Sequence, residues 1–266
     1  MPGTVPLTLT ENAQPALMAV SLATLRALEA EGVDLRRAAA FVAGHSLGEY
    51  SALAAAGALS IADTARLLKI RGRAMQQAVP VGQGAMAALL GIDLELATAI
   101  AAEAAQGETC DVANDNAPGQ IVIIGTKQAV ERAMEIAKAR GAMKAVSLPV
   151  SAPFHSALMQ PAADVMADAL AKVEIRAPAV PLVANVAAGP VTDPDEIRRL
   201  LVAQVTGTVR WRESVAFMAG TGVTELVEIG AGRVLTGLAK RIDRAVKGVV
   251  VNTPDDVKSV AAALAE

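Results

Sequence analysis

The chain has 266 residues, of which 53% are hydrophobic and only 2% aromatic, with 24 Lys and Arg against 27 Asp and Glu. That length suits one large domain or a domain with an insertion, and a net charge of −3 excludes broad nucleic-acid binding. Its single cysteine, Cys110, excludes an intramolecular disulfide and a cysteine-rich metal site. No stretch of about eighteen apolar residues runs without charge, so no membrane-spanning helix is expected. The start, Met1-Pro2-Gly3-Thr4, lacks the basic and apolar regions of a signal peptide, and a cytoplasmic protein is expected.

In chain order, Pro15 opens an amphipathic helix through about Glu31, with Leu17, Val20, Leu25 and Leu28 expected in the core and Gly32 as its stop. The apolar run 38–43 reads as a strand and 49–56 as a helix. Between them stands Gly44-His45-Ser46-Leu47-Gly48. Strand, then G-x-S-x-G, then helix is the context of a nucleophile elbow, a strained turn that lifts a serine hydroxyl clear of a sheet. The elbow glycines are expected where a Cβ would clash between the close backbones. Ser60-Ile61-Ala62-Asp63 reads as a capping box for a helix to about Ala78. That helix carries the basic run from Arg66 to Arg73.

From Gly82 the texture changes. A strand over 85–90 and a helix over 93–105 come first, and two strands over 110–114 and 120–124 then flank the predicted turn Asn116-Ala117-Pro118-Gly119. A helix capped by Thr126 and a last strand over 145–150 complete βαββαβ, the ferredoxin-like unit. Beyond it, helices over 156–172, 194–204, 208–219, 234–244 and 254–265 alternate with strands over 180–186, 225–229 and 248–251. The 194–204 helix is capped by Thr192 or Asp193. The fold class is α/β: a mostly parallel sheet flanked by helices, a hydrolase-like core. Residues 82–151 form the inserted ferredoxin-like subdomain, with 1–81 and 152–266 the large one.

A serine hydroxyl needs a base, and the chain has only two histidines. His45 adjoins Ser46, where the tight turn directs its ring elsewhere. That leaves His155, just where the chain returns from the insertion. An α/β-hydrolase would carry its histidine near the end of the fold, after an acidic residue. A patatin-like dyad would want an Asp-Gly pair, which is absent here.

The strings Gly44-His45-Ser46-Leu47-Gly48-Glu49-Tyr50-Ser51-Ala52-Leu53, Arg71-Gly72-Arg73-Ala74-Met75-Gln76, Asn116-Ala117-Pro118-Gly119-Gln120, the segment 149–155 and the segment 228–237 together resemble the malonyl-CoA:acyl-carrier-protein transacylases. They stand in family order and cover nearly the whole chain from Leu9. The resemblance implies ping-pong acyl transfer from malonyl-CoA to the phosphopantetheine thiol of acyl carrier protein. Ser46 would hold the malonyl group and His155 would be base, then acid. It further implies that the main-chain carbonyl of Gln204 orients His155 and that the Leu47 N–H is an oxyanion donor. Arg71 would grip malonate's free carboxylate at two points, and Phe154 would crowd out an α-methyl branch. Asn116 and its loop would line the cleft between subdomains or form a plain turn, and His45 falls among the substrate-contacting positions. No metal or separate cofactor is implied, and a monomer is expected. Carrier proteins are acidic, so Lys69, Arg73, Arg210, Arg212, Lys240 and Arg241 are candidates for a docking surface; each is also an ordinary solvated charge.

One departure stands against the resemblance. The family begins with a strand carrying a Gly-Gln-Gly-Ser-type loop, whose glutamine N–H is the second oxyanion donor, and nothing in the first eight residues resembles it. Its absence is expected to leave unpaired strand backbone beside an apolar groove and to slow transfer. Two further readings follow: a truncated or degenerate member with weak activity that binds CoA or carrier protein, and a thioesterase-like serine hydrolase.

Overall fold

The computed structural model describes Leu7 and residues 9–80, 82–148 and 154–264. The N-terminal residues 1–6 and 8, and the stretch 149–153 leading to Phe154 and His155, lie outside the described residues.

Helix α1 (Thr10–Ala30) begins a turn before Pro15, which therefore lies inside it. The extra turn is fixed by α4 (Ile61–Ala78). Gly72 brings α4 so close that an added Cβ would sit 2.6 Å from Glu11 Cα, and Lys69 Nζ pairs with the Glu11 carboxylate at 3.1 Å. Met18, Leu22, Leu25 and Leu28 form the buried stripe of α1, whereas Leu17 and Val20, expected in the core, are 40% and 44% exposed. Gln14, Met18, Leu22 and Leu25 recur every three or four positions, so that face is the buried one.

Between α1 and α4 run the short α2 (Leu35–Ala38), β1 (Val42–Ala43) and α3 (Gly48–Ala55). The strand into the elbow is thus two residues long. Its predicted beginning is taken by α2, whose first turn Asp34 caps by accepting from the Arg36 N–H at 3.0 Å. Ser60 caps α4 as its sequence suggests, accepting from the Asp63 N–H at 3.0 Å.

The small subdomain contains β2 (Gly84–Leu90), α5 (Leu94–Ala105), β3 (Cys110–Ala117), β4 (Gln120–Thr126), α6 (Lys127–Ala139) and β5 (Lys144–Leu148). All its ladders are antiparallel, in the order β3-β4-β2-β5, the ferredoxin-like arrangement. Helices α5 and α6 cover one face of the sheet, with Ile100 of α5 packed among Leu89, Ile121 and Ile123. Asn116 lies inside β3 and not in the turn: register shifts at Val112/Asn114 and Asp115/Ala117 let the ladder continue past it.

The chain then returns through a 3-10 turn (Ala157–Met159), α7 (Gln160–Leu170), β6 (Leu182–Ala184), β7 (Gly189–Val191), α8 (Pro194–Thr206) and α9 (Trp211–Gly220). It closes with β8 (Glu225–Ile229), α10 (Val234–Ile242), β9 (Lys247–Val251) and α11 (Pro254–Leu264). β1 runs parallel to β6 and β8 parallel to β9; β7 adds an antiparallel hairpin not predicted from sequence. β1 and β8 each carry a ladder partner on one edge only, among the described residues. The main core, from α1, α3, α4, α7, α8 and β6, lies directly beneath the elbow.

Candidate active site

The elbow is a backbone device. A Cβ on Gly44 would stand 2.0 Å from the carbonyl carbon of Gly48, so only glycine lets the strand pass so near the helix start. The same argument does not hold at Gly48, where a Cβ would meet nothing within 4 Å. Ser46 itself has φ 53°, a left-handed conformation that costs a non-glycine residue about 1 kcal/mol or more. Two buried amides hold it there. The Ser46 N–H donates to Asn185 Oδ1 at 2.7 Å, and the Ser46 carbonyl accepts from Gln204 Nε2 at 3.0 Å. Asn185 also donates through Nδ2 to the Gly44 carbonyl at 2.7 Å.

His155 meets the serine across 109 positions of sequence, its Nε2 2.7 Å from Ser46 Oγ. Its Nδ1 lies 2.8 Å from the main-chain oxygen of Gln204. A carbonyl only accepts, so Nδ1 carries the hydrogen and Nε2 presents its lone pair to the serine hydroxyl. Burial, followed by the positive charge of Arg71, pushes the imidazole down to about 3. The ring is therefore neutral at pH 7, the state a general base requires.

Arg71 comes from the basic run on α4, but unlike Arg66, Lys69 and Arg73 it is buried. Its Nη1 donates to Gln14 Oε1 at 2.8 Å, and its Nη2 to Gln204 Oε1 at 2.9 Å and Ser46 Oγ at 3.1 Å. The guanidinium lies 5.7 Å from the ring centroid of Tyr50. All three acceptors are neutral. Burial lowers the pKa of Arg71, which reflects the cost of holding a cation away from water without a direct acid partner. Such a group, within reach of a nucleophile, is suited to an acyl chain that brings its own carboxylate.

The remaining sequence-derived residues surround this centre. His45 Nε2 lies 2.8 Å from Asn116 Oδ1, joining the elbow to the small subdomain, and its ring tilts against Trp211 with centroids 5.7 Å apart. Burial lowers its pKa. Phe154 is half-buried and packs against both the main core and the small-subdomain cluster of Met86, Ala113, Val122 and Ile124. Leu47 follows Ser46 directly, and its N–H has no acceptor among the described residues. The candidate docking cations are mostly engaged: Lys69 and Arg73 with Glu11, Arg210 with Glu213, Arg212 with Asp115 and Arg241 with Gln120.

Asn185, Glu49 and the side chains of Gln14 and Gln204 are parts of the site that sequence reasoning did not supply. Asn185 and Glu49 did leave a signal. Asn185 is the polar residue that ends the apolar run Leu182-Val183-Ala184, and Glu49 is an acid placed directly after the elbow glycine.

Taken together, a left-handed serine at an elbow, a neutral histidine and a neighbouring buried guanidinium define a serine-nucleophile enzyme of the acyl-transferring kind. The comparisons with known proteins agree. The family described as acyl transferase domain matches residues 4–258. The malonyl CoA-acyl carrier protein transacylase of Escherichia coli K12 is 48% identical over 255 residues, 96% of this chain and 81% of that protein. A crystal structure of acyl-carrier-protein-S-malonyltransferase from Bartonella henselae superposes with a TM-score of 0.95 at 55% identity, covering 98% of this chain and 83% of that one. A malonyl-transacylase solved in complex with a type II PKS acyl-carrier protein superposes with a TM-score of 0.93 at 44% identity, covering 97% and 82%. The chain belongs to the acyl transferase domain family.

Proposed function

We infer that the chain transfers a malonyl group from malonyl-CoA to the phosphopantetheine thiol of acyl carrier protein, as in fatty acid biosynthesis. Relatives of this name at 45–48% identity support the reaction and its partner, and no metal or separate cofactor enters it. The observation that carries the substrate choice is Arg71, buried with its Nη2 3.1 Å from Ser46 Oγ.

In the first half-reaction Ser46 Oγ attacks the thioester carbonyl while His155 Nε2 takes the hydroxyl proton. The Leu47 N–H faces the developing oxyanion. Collapse breaks the carbon–sulfur bond, and the imidazolium gives its proton to the departing CoA thiolate. The malonyl ester on Ser46 keeps its carboxylate on Arg71, while Phe154 limits room beside the α-carbon. In the second half the carrier thiol gives its proton to His155 and attacks the ester, and Ser46 leaves with that proton. Gln204 holds the imidazole through both halves. His45 and Asn116 tie the elbow to the small subdomain on the cleft side, where malonyl-CoA enters.

Residues 1–81 and 152–266 form the catalytic subdomain in this reading and 82–151 the small one; the named strands pair only within each side of those limits, with one parallel bridge, Asn114 to Val209, crossing between them, which supports the division. A cytoplasmic location goes with this reaction, and none of the described helices is long and apolar enough to cross a membrane. Incubation with labelled malonyl-CoA tests the reading: label should appear on Ser46 and pass to added holo carrier protein. Label released to water instead would favour a hydrolase.

A further inference from the structure

Glu49 is a fully buried carboxyl that touches none of the reacting groups. Its Oε2 accepts from the Asn185 N–H at 3.0 Å and from Gln204 Nε2 at 2.8 Å. Oε1 has no partner. The two residues it holds are the two that fix Ser46: Asn185 at the Ser46 N–H and Gln204 at the Ser46 carbonyl. Gln204 carries more besides, since its Oε1 accepts from Arg71 and its main-chain oxygen from His155.

A side-chain amide has one accepting end and one donating end, and nothing in its shape decides which way it faces. Here the charges decide. Glu49 Oε2 only accepts, so it draws Nε2 of Gln204, and Oε1 is left facing the guanidinium. The reversed amide would set a carbonyl against a carboxyl oxygen and two N–H groups against a cation. Burial pushes the Glu49 carboxyl up to about 7. Because Oε2 accepts whether or not Oε1 carries a proton, the amide keeps its direction in either state.

We propose that Glu49 is a positioning residue for malonyl selection: through Gln204 it sets the acceptor that places Arg71 beside Ser46. This rests on the malonyl-transfer reading above. Its signature is a selective loss. Arg71 matters to an acyl group that ends in a carboxylate and not to an acetyl group, whereas general damage to the elbow or to His155 slows both alike.

The test compares initial rates of Ser46 acylation by malonyl-CoA and by acetyl-CoA, read by intact-protein mass spectrometry on protein whose folding is checked by thermal unfolding. Glu49→Leu should lower the malonyl-to-acetyl rate ratio by about tenfold or more, as expected when an interaction used by only one substrate is lost. Glu49→Gln, whose amide oxygen can accept the same two N–H groups, should keep the ratio within about threefold of wild type. Should Glu49→Leu not fold, Gln204→Leu keeps the main-chain carbonyl for His155 and should show the same selective loss. An unchanged ratio in folded Glu49→Leu or Gln204→Leu overturns the proposal, as does a Glu49→Gln ratio as low as that of the leucine variant. Wild-type protein that takes acetyl but no malonyl group overturns the transfer reading itself.

Discussion

His155 Nδ1 donates to the main-chain oxygen of Gln204 at 2.8 Å, so this imidazole is oriented by a carbonyl and not by a carboxylate. A carbonyl sets the tautomer as firmly as an acid would, but adds no full negative charge behind the ring. Burial, and then the positive charge of Arg71, outweigh the hydrogen bond to the Gln204 carbonyl, and the ring is held down to about 3.

The pH dependence of acylation follows. The base must be unprotonated, and a free-enzyme value near 3 leaves it so throughout the range from pH 7 to pH 5. The kcat/KM for Ser46 acylation by malonyl-CoA should therefore show no fall centred on 6.5, the ordinary imidazole value. A stopped-flow pH profile checks this, and a clear limb at 6.5 would place His155 in a wetter site than described.

Stability should depend on pH in two opposing ways. His155 titrates at about 3 when folded against 6.5 ordinarily, so between those values the unfolded chain binds a proton the folded one refuses, and stability rises with pH. Glu49 titrates at about 7 when folded against 4.5, so the folded chain keeps a proton the unfolded one has lost, and stability falls as pH rises through that window. Between 4.5 and 6.5 the two slopes oppose each other. Urea unfolding across this range should show stability falling more steeply with pH in His155→Gln than in wild type, and rising more steeply in Glu49→Gln. Identical slopes in all three proteins would mean that neither group is shifted as described.

Two glycines should tolerate no side chain. Gly44→Ala would put a Cβ 2.0 Å from Gly48 backbone, and Gly72→Ala one 2.6 Å from Glu11 Cα. Neither neighbour is a flexible side-chain tip, so each substitution should cost several kcal/mol, on the order of 3 or more. Gly48→Ala, with open space around it, should cost far less. Thermal unfolding of the three variants checks the order.

Arg71→Ala should separate transfer from hydrolysis. Loss of the two-point carboxylate grip proposed for Arg71 should lower malonyl acylation of Ser46 by about a hundredfold or more. A thioesterase-like enzyme would instead hydrolyse acetyl-CoA equally well with or without Arg71, and steady-state thiol release with acetyl-CoA distinguishes the two.

Much of this site was legible in the sequence because short local patterns carry it. The elbow, Ser60 at a helix start and the βαββαβ alternation each depend on residues within a few positions of one another. The two-histidine inventory then paired Ser46 with His155 by elimination. What was hidden depends on tertiary contact. Nothing local shows that Arg71 faces inward while Lys69 and Arg73 face Glu11, nor that Leu17 and Val20 point away from the core. The hydrogen bonds of Asn185, Glu49 and Gln204 join residues more than 130 positions apart, and no periodicity announces them. The two-residue β1 was overestimated because an alanine-rich run suits either helix or strand, and the cap at Asp34 decided for helix.

The most direct measurement is the fate of the malonyl group on Ser46. After mixing with malonyl-CoA, intact mass and peptide mapping should find one malonyl ester per chain, on Ser46 and absent from Ser46→Ala, and holo carrier protein should discharge it faster than water does. A folded protein that forms no such ester, or loses it to water as fast as to the carrier thiol, would contradict malonyl transfer by this chain.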